Sequence, residues 1–472
     1  MNNEQITKRD VDFAKWYTDV CKVADLVDYS SMKGSMIIRP YGYAIWENMV
    51  NILDKEFKKT GHMNVQMPMF IPESLLQIEK NHVNGFAPEV AWVTHGGENQ
   101  LEERVCVRPT SETLFCEHFK KIIKSYRDLP ILYNQWCTIV RWEKTTRPFL
   151  RTREILWQEG HTMHETEDEA RKETLKILKI YEDFQREYLA MPVLVGKKTE
   201  KEKFAGAEET YTLEAMMYNG FALQNATSHY FGQGFSKAFD IKFLDKNNKL
   251  KTPYQTSWGV STRMIGGLIM THSDDLGLVL PPMIAPYKVA IIPIKTEDEI
   301  LNIVNDLKEK LEKKDITYVI DDSKKSPGYK FANAEVKGYP IRVEIGKKDL
   351  ENNQVTLVRR DTLEKVKVDI SDCVSKIEEM LVDIQNNLYN KALERRESLT
   401  YDLYEYDELK ILSEKGGFGY VNWCGNEKCE EKIKDDFGLK SRCMPLENNK
   451  VDGACICCNK EAVIKIYFGK QY

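Results

Sequence analysis

Arg141 precedes Glu143 by two residues, Arg151 and Arg153 follow a basic stretch containing a proline, and Arg263 stands in SWGVSTRMIGG. A guanidinium is a planar fork that suits phosphate oxygens bidentately. On a strand, a carboxylate two positions along points to the same face, where it could accept an adenine amino group. Such a set permits an ATP site. One Arg-x-Glu couple alone is more often a surface ion pair, so it carries weight only in combination. The commoner phosphate cradles are missing: there is no G-x-x-x-x-G-K-[ST], and no G-x-G-x-x-G opens a helix after a strand.

The end of the chain offers a different chemistry. Six of the 11 cysteines (Cys424, Cys429, Cys443, Cys455, Cys457, Cys458) fall in the last 50 residues, and the other five are scattered singly. Scattered cysteines behind a polar N-terminus, MNNEQITKRD, argue against a disulfide framework. Cys424-x4-Cys429 and Cys455-x2-Cys458, separated by 25 residues, supply four thiolates in two close pairs. That set satisfies tetrahedral Zn2+ at about 2.3 Å, and closed four-cysteine sites are structural. Cys457 and Cys443 compete as ligands. Because thiolate binding couples metal to folding, losing zinc is expected to unfold the tail rather than to stop chemistry upstream.

Elements must hold these groups. Ile45, Met49, Ile52, Leu53 and Phe57 recur at helical spacing over 40–60, with basic residues in the last turn and Gly61 as a stop. VQMPMFIP (65–72) reads as a strand, at an edge or an interface because of Pro68. RVCVRPTSETLFCEHF passes from a short strand through Pro109 into a helix, and 134–143 and 152–163 read as two strands joined by KTTRPFLR. Thr166 and Glu169 make a capping box ahead of a one-sided apolar helix. Strands interspersed with helices over 1–285 predict an α+β domain on an antiparallel sheet, bounded by the proline-rich LPPMIAP. Alternating strand and helix patterns then predict an α/β domain over 286–385, and 386–472 reads as a charged helical linker (385–412) and a small α+β zinc-binding domain.

With 472 residues, about three domains is the expectation. The 42% hydrophobic and 30% charged fractions exclude collagen-like and disordered chains. A formal charge of −5 gives no general basic excess, so any nucleic-acid contact must be a local patch. No apolar run approaches about 18 residues, which predicts a cytoplasmic protein without a membrane span.

RWE, a loop and FLRTREILWQEGH resemble the second signature motif of class II aminoacyl-tRNA synthetases; helix 40–60 with VQMPMF resembles the first and SWGVSTRMIGG the third. RPTSET, NQWCTIVRWE, KTEKEKFAGAEETYTLEA, LQNATSHYFGQGFSKAF and SPGYKFANAEVKGYPIRVEIGKKDL, in this order, resemble the prolyl-tRNA synthetase family of the archaeal/eukaryotic-like type over nearly the whole chain. The resemblance implies that L-proline and ATP, with Mg2+, give prolyl-adenylate, that the prolyl group passes to the 3′ end of tRNA(Pro), and that two copies form a homodimer through the first motif.

By the same resemblance, Arg141 and Arg263 are catalytic. Glu143, Arg151, Thr152, Gln224, Thr227 and Ser261 join them on ATP, and Thr110, Glu112, Trp157, His161 and His229 join Arg141 on proline. Lys330, Glu335, Arg342 and Glu344 face the anticodon, where each also reads as an ordinary surface charge. Physical logic agrees: a carboxylate such as Glu112 pairs with the secondary ammonium of proline, and its ring needs a wall such as Trp157 or Phe204. Only 103 residues separate Glu154 from Trp258, leaving no room for the editing insertion of bacterial-type relatives. Terminal Tyr472 is implied to pack back on the first domain; a frayed end is the alternative. Two rivals remain open: a non-catalytic synthetase-like tRNA-binding protein, and a sibling enzyme for threonine, serine or glycine.

Overall fold

In a computed structural model the chain is described over residues 6–82, 89–447 and 451–472. Six strands of the first part build its main antiparallel sheet: β1 (Ile131–Val140), β2 (Glu154–His164), β3 (Val193–Lys197), β4 (Glu209–Met216), β5 (Ala222–Gly232) and β6 (Tyr254–Ser261). They lie in the order β3-β4-β5-β6-β2-β1, every neighbour antiparallel. β1 and β2 are registered from Ile131↔Met163 to Val140↔Glu154, so KTTRPFLR connects them at one end.

Helices α1 (Phe13–Val23), α2 (Pro40–Lys59), α3 (Glu112–Ile122), α4 (Glu167–Glu187) and α5 (Arg263–His272) accompany this sheet. In α2, Pro40 occupies the first turn, where its missing N–H costs nothing, and the stripe Ile45, Met49, Leu53 and Phe57 is buried. The Phe57 ring lies 5.0 Å from that of Trp258 in β6. Beneath that indole runs Gly160 of β2; a Cβ there would meet the Trp258 ring at 2.1 Å, so only glycine lets strand and indole approach. The capping box of α4 forms as the spacing predicts, Thr166 Oγ1 accepting from Glu169 N at 3.3 Å.

The strand expected over 65–72 is interrupted. Met63–Asn64 adds a two-residue parallel edge to β1, and Phe70–Pro72 pairs with Val105–Val107 in a separate sheet. Pro68, which has no N–H to give a ladder, stands between them.

The second part holds β7 (Val289–Pro293), β8 (Tyr318–Ile320), β9 (Ile341–Ile345), β10 (Gln354–Arg359) and β11 (Lys365–Asp369), with α6 (Asp298–Lys313) and α7 (Pro327–Lys337) as crossovers. The order is β8-β7-β9-β10-β11, parallel across the first three and antiparallel beyond. Helix α8 spans Cys373–Ser398, which corrects the expected helix over 385–412. Ile377, Met380, Leu381, Ile384 and Leu388 recur at helical spacing in the core of this second part, so the helix starts there; after Ser398 the chain turns into β12 (Thr400–Leu403).

The tail carries β13 (Phe418–Trp423), helix α9 (Glu427–Phe437), β14 (Lys440–Pro445) and β15 (Ile464–Gly469). Its strands are ordered β12-β13-β15-β14, and β14 continues onto β3 through Met444↔Lys197 and Pro445↔Gly196, so tail and first part share one 11-stranded sheet. Tyr472 is anchored: its N–H donates to Ala222 O at 3.0 Å and its hydroxyl accepts from Arg147 Nη1 at 2.5 Å. Among the described residues no helix is long and apolar enough to cross a membrane.

Candidate active site

Where β1, β2, β5 and β6 lie side by side, a cavity of about 250 Å3 opens, lined among others by Arg141, Trp157, Gln224, Thr227, His229, Ser261 and Arg263. These seven were singled out in the sequence, and the sheet brings them together. Arg141 follows the last residue of β1; its Nε donates to Pro109 O at 3.2 Å and its guanidinium carbon lies 5.1 Å from the centre of the Trp157 ring. Arg263 begins α5, its N–H donating to Ser261 Oγ at 3.2 Å and its Nη1 reaching Gln224 O at 3.5 Å. Loss of hydration lowers the pKa of both, for Arg263 to about 10 with help from Arg141 and Arg151. Both stay charged at neutral pH, and among the described residues neither has a carboxylate within ion-pair distance.

Behind the cavity lies a buried polar cluster. Glu112, in the first turn of α3, accepts from Thr110 Oγ1 and, at 3.5 Å, from Ser257 Oγ. Burial drives this carboxyl above its usual range; His161 opposes the shift and Glu159 reinforces it. Burial works the same way on Glu159, but there hydrogen bonds from His161, Ser111 and Gln135 win and hold the carboxylate well below the usual range. The distances are 3.2 Å from His161 Nε2, 2.5 Å from Ser111 Oγ and 2.7 Å from Gln135 Nε2. The charges of Glu112 and Glu159 are both felt at Arg141. In the cavity lining, His229 is pushed down to about 3 by burial and by His161, so it is neutral; its Nδ1 sits 3.0 Å from Thr210 Oγ1. Phe204 packs against it at 4.7 Å between ring centres.

Glu159, Ser111 and Gln135 were not among the residues picked from the sequence. For Glu159 a signal was there: strand alternation puts Trp157, Glu159 and His161 on one face of β2. Three other residues lie apart from the cavity lining. Glu143 is 3.9 Å from Arg151 Nε, an ion pair outside it. Thr152 donates to Glu154 O and lines a different cavity, with Thr138, Phe149 and Thr262.

In the second part, Glu335, Arg342 and Glu344 are brought together in one ion-paired cluster, while Lys330 is held by other partners. Lys330 is buried and donates to the carbonyls of Pro293 (3.2 Å) and Asp321 (2.9 Å). Arg342 is 3.0 Å from Glu335 and 2.9 Å from Glu344.

In the tail, one ligand atom from each of Cys424, Cys429, Cys455 and Cys458 lies within 4.8 Å of the others. Cys424 Sγ is 3.7 Å from that of Cys429 and 3.6 Å from that of Cys458. A tetrahedron of thiolates at about 2.3 Å from a metal has edges of about 3.8 Å, so the set fits such an ion. Cys457 and Cys443 stand outside the set, and Cys443 is buried in β14, where burial pushes its thiol up to about 12.

Three family descriptions match the chain in order: "tRNA synthetase class II core domain (G, H, P, S and T)" over residues 92–272, "Anticodon binding domain" over 288–380, and "Prolyl-tRNA synthetase, C-terminal" over 406–472. Proline–tRNA ligase 2 of Bacillus cereus is 59% identical, and the proline–tRNA ligase of Clostridium novyi 57% identical, each covering 99% of this chain and 99% or 98% of its own. The crystal structure of prolyl-tRNA synthetase from Cryptosporidium parvum, complexed with halofuginone and AMPPNP, superposes with a TM-score of 0.95 at 39% identity, covering 99% of both chains. Likeness of this depth over the full length, on a class II core whose arginines line one cavity, means that the chain belongs to the proline–tRNA ligase family of class II aminoacyl-tRNA synthetases.

Proposed function

We propose that this chain activates L-proline with ATP and transfers the prolyl group to the 3′ end of tRNA(Pro). The observation that carries this reading is the pair of arginines lining one cavity, Arg141 and Arg263, charged and, among the described residues, without a carboxylate at ion-pair distance, so that anionic substrates can reach both. The proline carboxylate attacks the ATP α-phosphorus in line, and pyrophosphate leaves. Both guanidiniums neutralise charge that builds on the phosphoryl oxygens. Glu143, Arg151, Thr152, Gln224, Thr227 and Ser261 are the proposed ATP contacts. Thr110, Glu112, Trp157, His161 and His229 hold proline, the acidic cluster meeting its ammonium and the rings its methylenes. A tRNA ribose hydroxyl then attacks the acyl carbonyl, and AMP leaves. No nucleophile of the protein is needed; positioning carries the reaction.

Mg2+ would shield the ATP phosphates in this scheme, and Cys424, Cys429, Cys455 and Cys458 would hold Zn2+ in a closed structural site. Lys330, Glu335, Arg342 and Glu344 belong to the proposed anticodon face, chiefly by shaping it, since Arg342 is paired with Glu335 and Glu344 and Lys330 is held by backbone carbonyls. A homodimer through α2 accounts for Tyr43, Met63, Met69 and Phe70, large apolar side chains exposed on one chain. The three-part domain division (1–285, 286–385, 386–472) and a cytoplasmic location complete the proposal.

Amino-acid-dependent exchange of pyrophosphate into ATP tests it, with proline, alanine, threonine and serine side by side. Exchange with proline far above the others is expected, lost on Arg141→Ala. Silence with every amino acid in a folded chain that binds tRNA would restore the binding-only rival.

A further inference from the structure

The loop 198–208, between β3 and β4, supplies Glu202 and Phe204 to the cavity. It is held from two sides. Facing the cavity, Phe204 N donates to Thr210 Oγ1 at 2.9 Å, the hydroxyl that also meets His229. On the far side, Thr199 O accepts from the N–H groups of Glu202 (3.2 Å) and Lys203 (2.9 Å), closing the turn that carries these side chains. Thr199 in turn is tied to the tail: its hydroxyl donates to Oε1 of Glu430 at 2.9 Å, and Ser441 Oγ donates to the same oxygen. Thr199, Glu430 and Ser441 are all buried. Glu430 lies in α9 next to Cys429 of the thiol cluster. At the rim, Lys440 stands 3.6 Å from Glu202 and Lys201 stands 3.0 Å from Glu431. Below, Lys198 and Arg442 share the fully buried carboxylate of Glu214.

Hydroxyl-to-carboxylate hydrogen bonds are strong where water is excluded. The two ends of the loop are bonded to β4 and β5 through Lys198 N and Glu208 N, but the stretch between them has no strand pairing, so its order depends on such ties. We propose that Glu430 is a positioning residue for the substrate cavity: by anchoring Thr199 it fixes the loop that presents Glu202 and Phe204, so the tail sets proline affinity without touching proline. The inference rests on reading the cavity as the proline site. A loop that samples other conformations lowers apparent affinity by the fraction of time it is competent. Once substrate is bound the loop is ordered again, so KM moves and kcat scarcely does.

The test uses the full chain with its metal content measured, and four variants: Glu430→Ala, Thr199→Val, the two combined, and Glu430→Gln. Proline and ATP saturation are read in the exchange assay, and amide hydrogen exchange over 199–208. Either single variant is expected to raise the proline KM about tenfold, with kcat and the ATP KM held within about twofold. The double variant is no worse than the singles, and Glu430→Gln, which keeps an acceptor, stays near wild type. Amides of the loop exchange faster while metal is retained. Unchanged proline KM and unchanged loop exchange in Thr199→Val overturn the inference, even where Glu430→Ala loses its metal or its fold. A wild-type chain with no proline-dependent exchange would sink the functional reading instead, and the loop exchange data would still judge the anchor.

Discussion

Arg342 and Arg263 are both drawn away from bulk water, yet the fold treats them differently. Arg342 in β9 is clasped by Glu335 and Glu344, and Lys365 stands 3.3 Å from Glu344, so the charges of this cluster answer one another. Arg263 meets a carbonyl oxygen, with Arg141 as a like charge near by. Burial of charge therefore does not mark a binding site. Nor does the lack of a carboxylate partner, since Lys330 is buried against two carbonyls. What marks the cavity is that two guanidiniums line open space there with, among the described residues, no carboxylate at ion-pair distance, so an anionic ligand can reach both.

The contrast is broken or sharpened most sharply by paired alanine substitutions. Arg263→Ala is expected to lower proline-dependent exchange about 1,000-fold, the scale of losing a preorganised donor to developing charge. Its urea midpoint should stay put or rise, since the substitution relieves Arg141. Arg342→Ala should do the reverse, costing about 3 kcal/mol in unfolding of the second part because two carboxylates lose their cation. Exchange in that variant should remain within about twofold of wild type. An Arg263→Ala chain as unstable as Arg342→Ala, with exchange spared, would erase the distinction.

Much of this was legible in the sequence, unevenly. Helix α2, the β1–β2 pair and the capping box of α4 follow from local spacing alone, and the cavity arginines stand in motifs whose residue types suit phosphate. The four-thiol set follows from two short intervals, because each brings two cysteines close along the chain, and the chain's return at Cys455 sets the pairs side by side. Glu159 was overlooked although its strand face was predictable, since a glutamate flanked by Gln158 and Gly160 reads as polar filler until Ser111 and Gln135 arrive from elsewhere. The inward pairing of Arg342 was illegible because its partners come from α7 as well as its own strand. Most hidden of all was the merging of tail and catalytic sheets: Met444↔Lys197 and Pro445↔Gly196 join residues about 250 apart through two pairs with no periodicity of their own.

Arginine cannot escape burial by giving up its proton, but histidine can, and this gives the smallest of the expected effects. His164, at the end of β2, is buried, with its Nε2 2.8 Å from Thr162 Oγ1. Burial pushes it down from 6.5 to about 4; Glu173 and Glu169 resist, and Lys176 and His62 reinforce. Between those two values the unfolded chain binds a proton that the folded chain refuses. Stability is therefore full above pH 6.5 and declines as the pH falls toward 4. From pH 7 to about 5.5 this one group removes roughly 1 kcal/mol. His164→Gln keeps a polar partner for Thr162 and cannot titrate, so in urea unfolding it should lose about that much less than wild type over the same interval. Equal losses in the two chains would mean that His164 keeps its proton in the fold. Glu173 and Glu169 would then be answering a buried imidazolium as Glu335 and Glu344 answer Arg342, and His164 would stand with the paired charges of the fold.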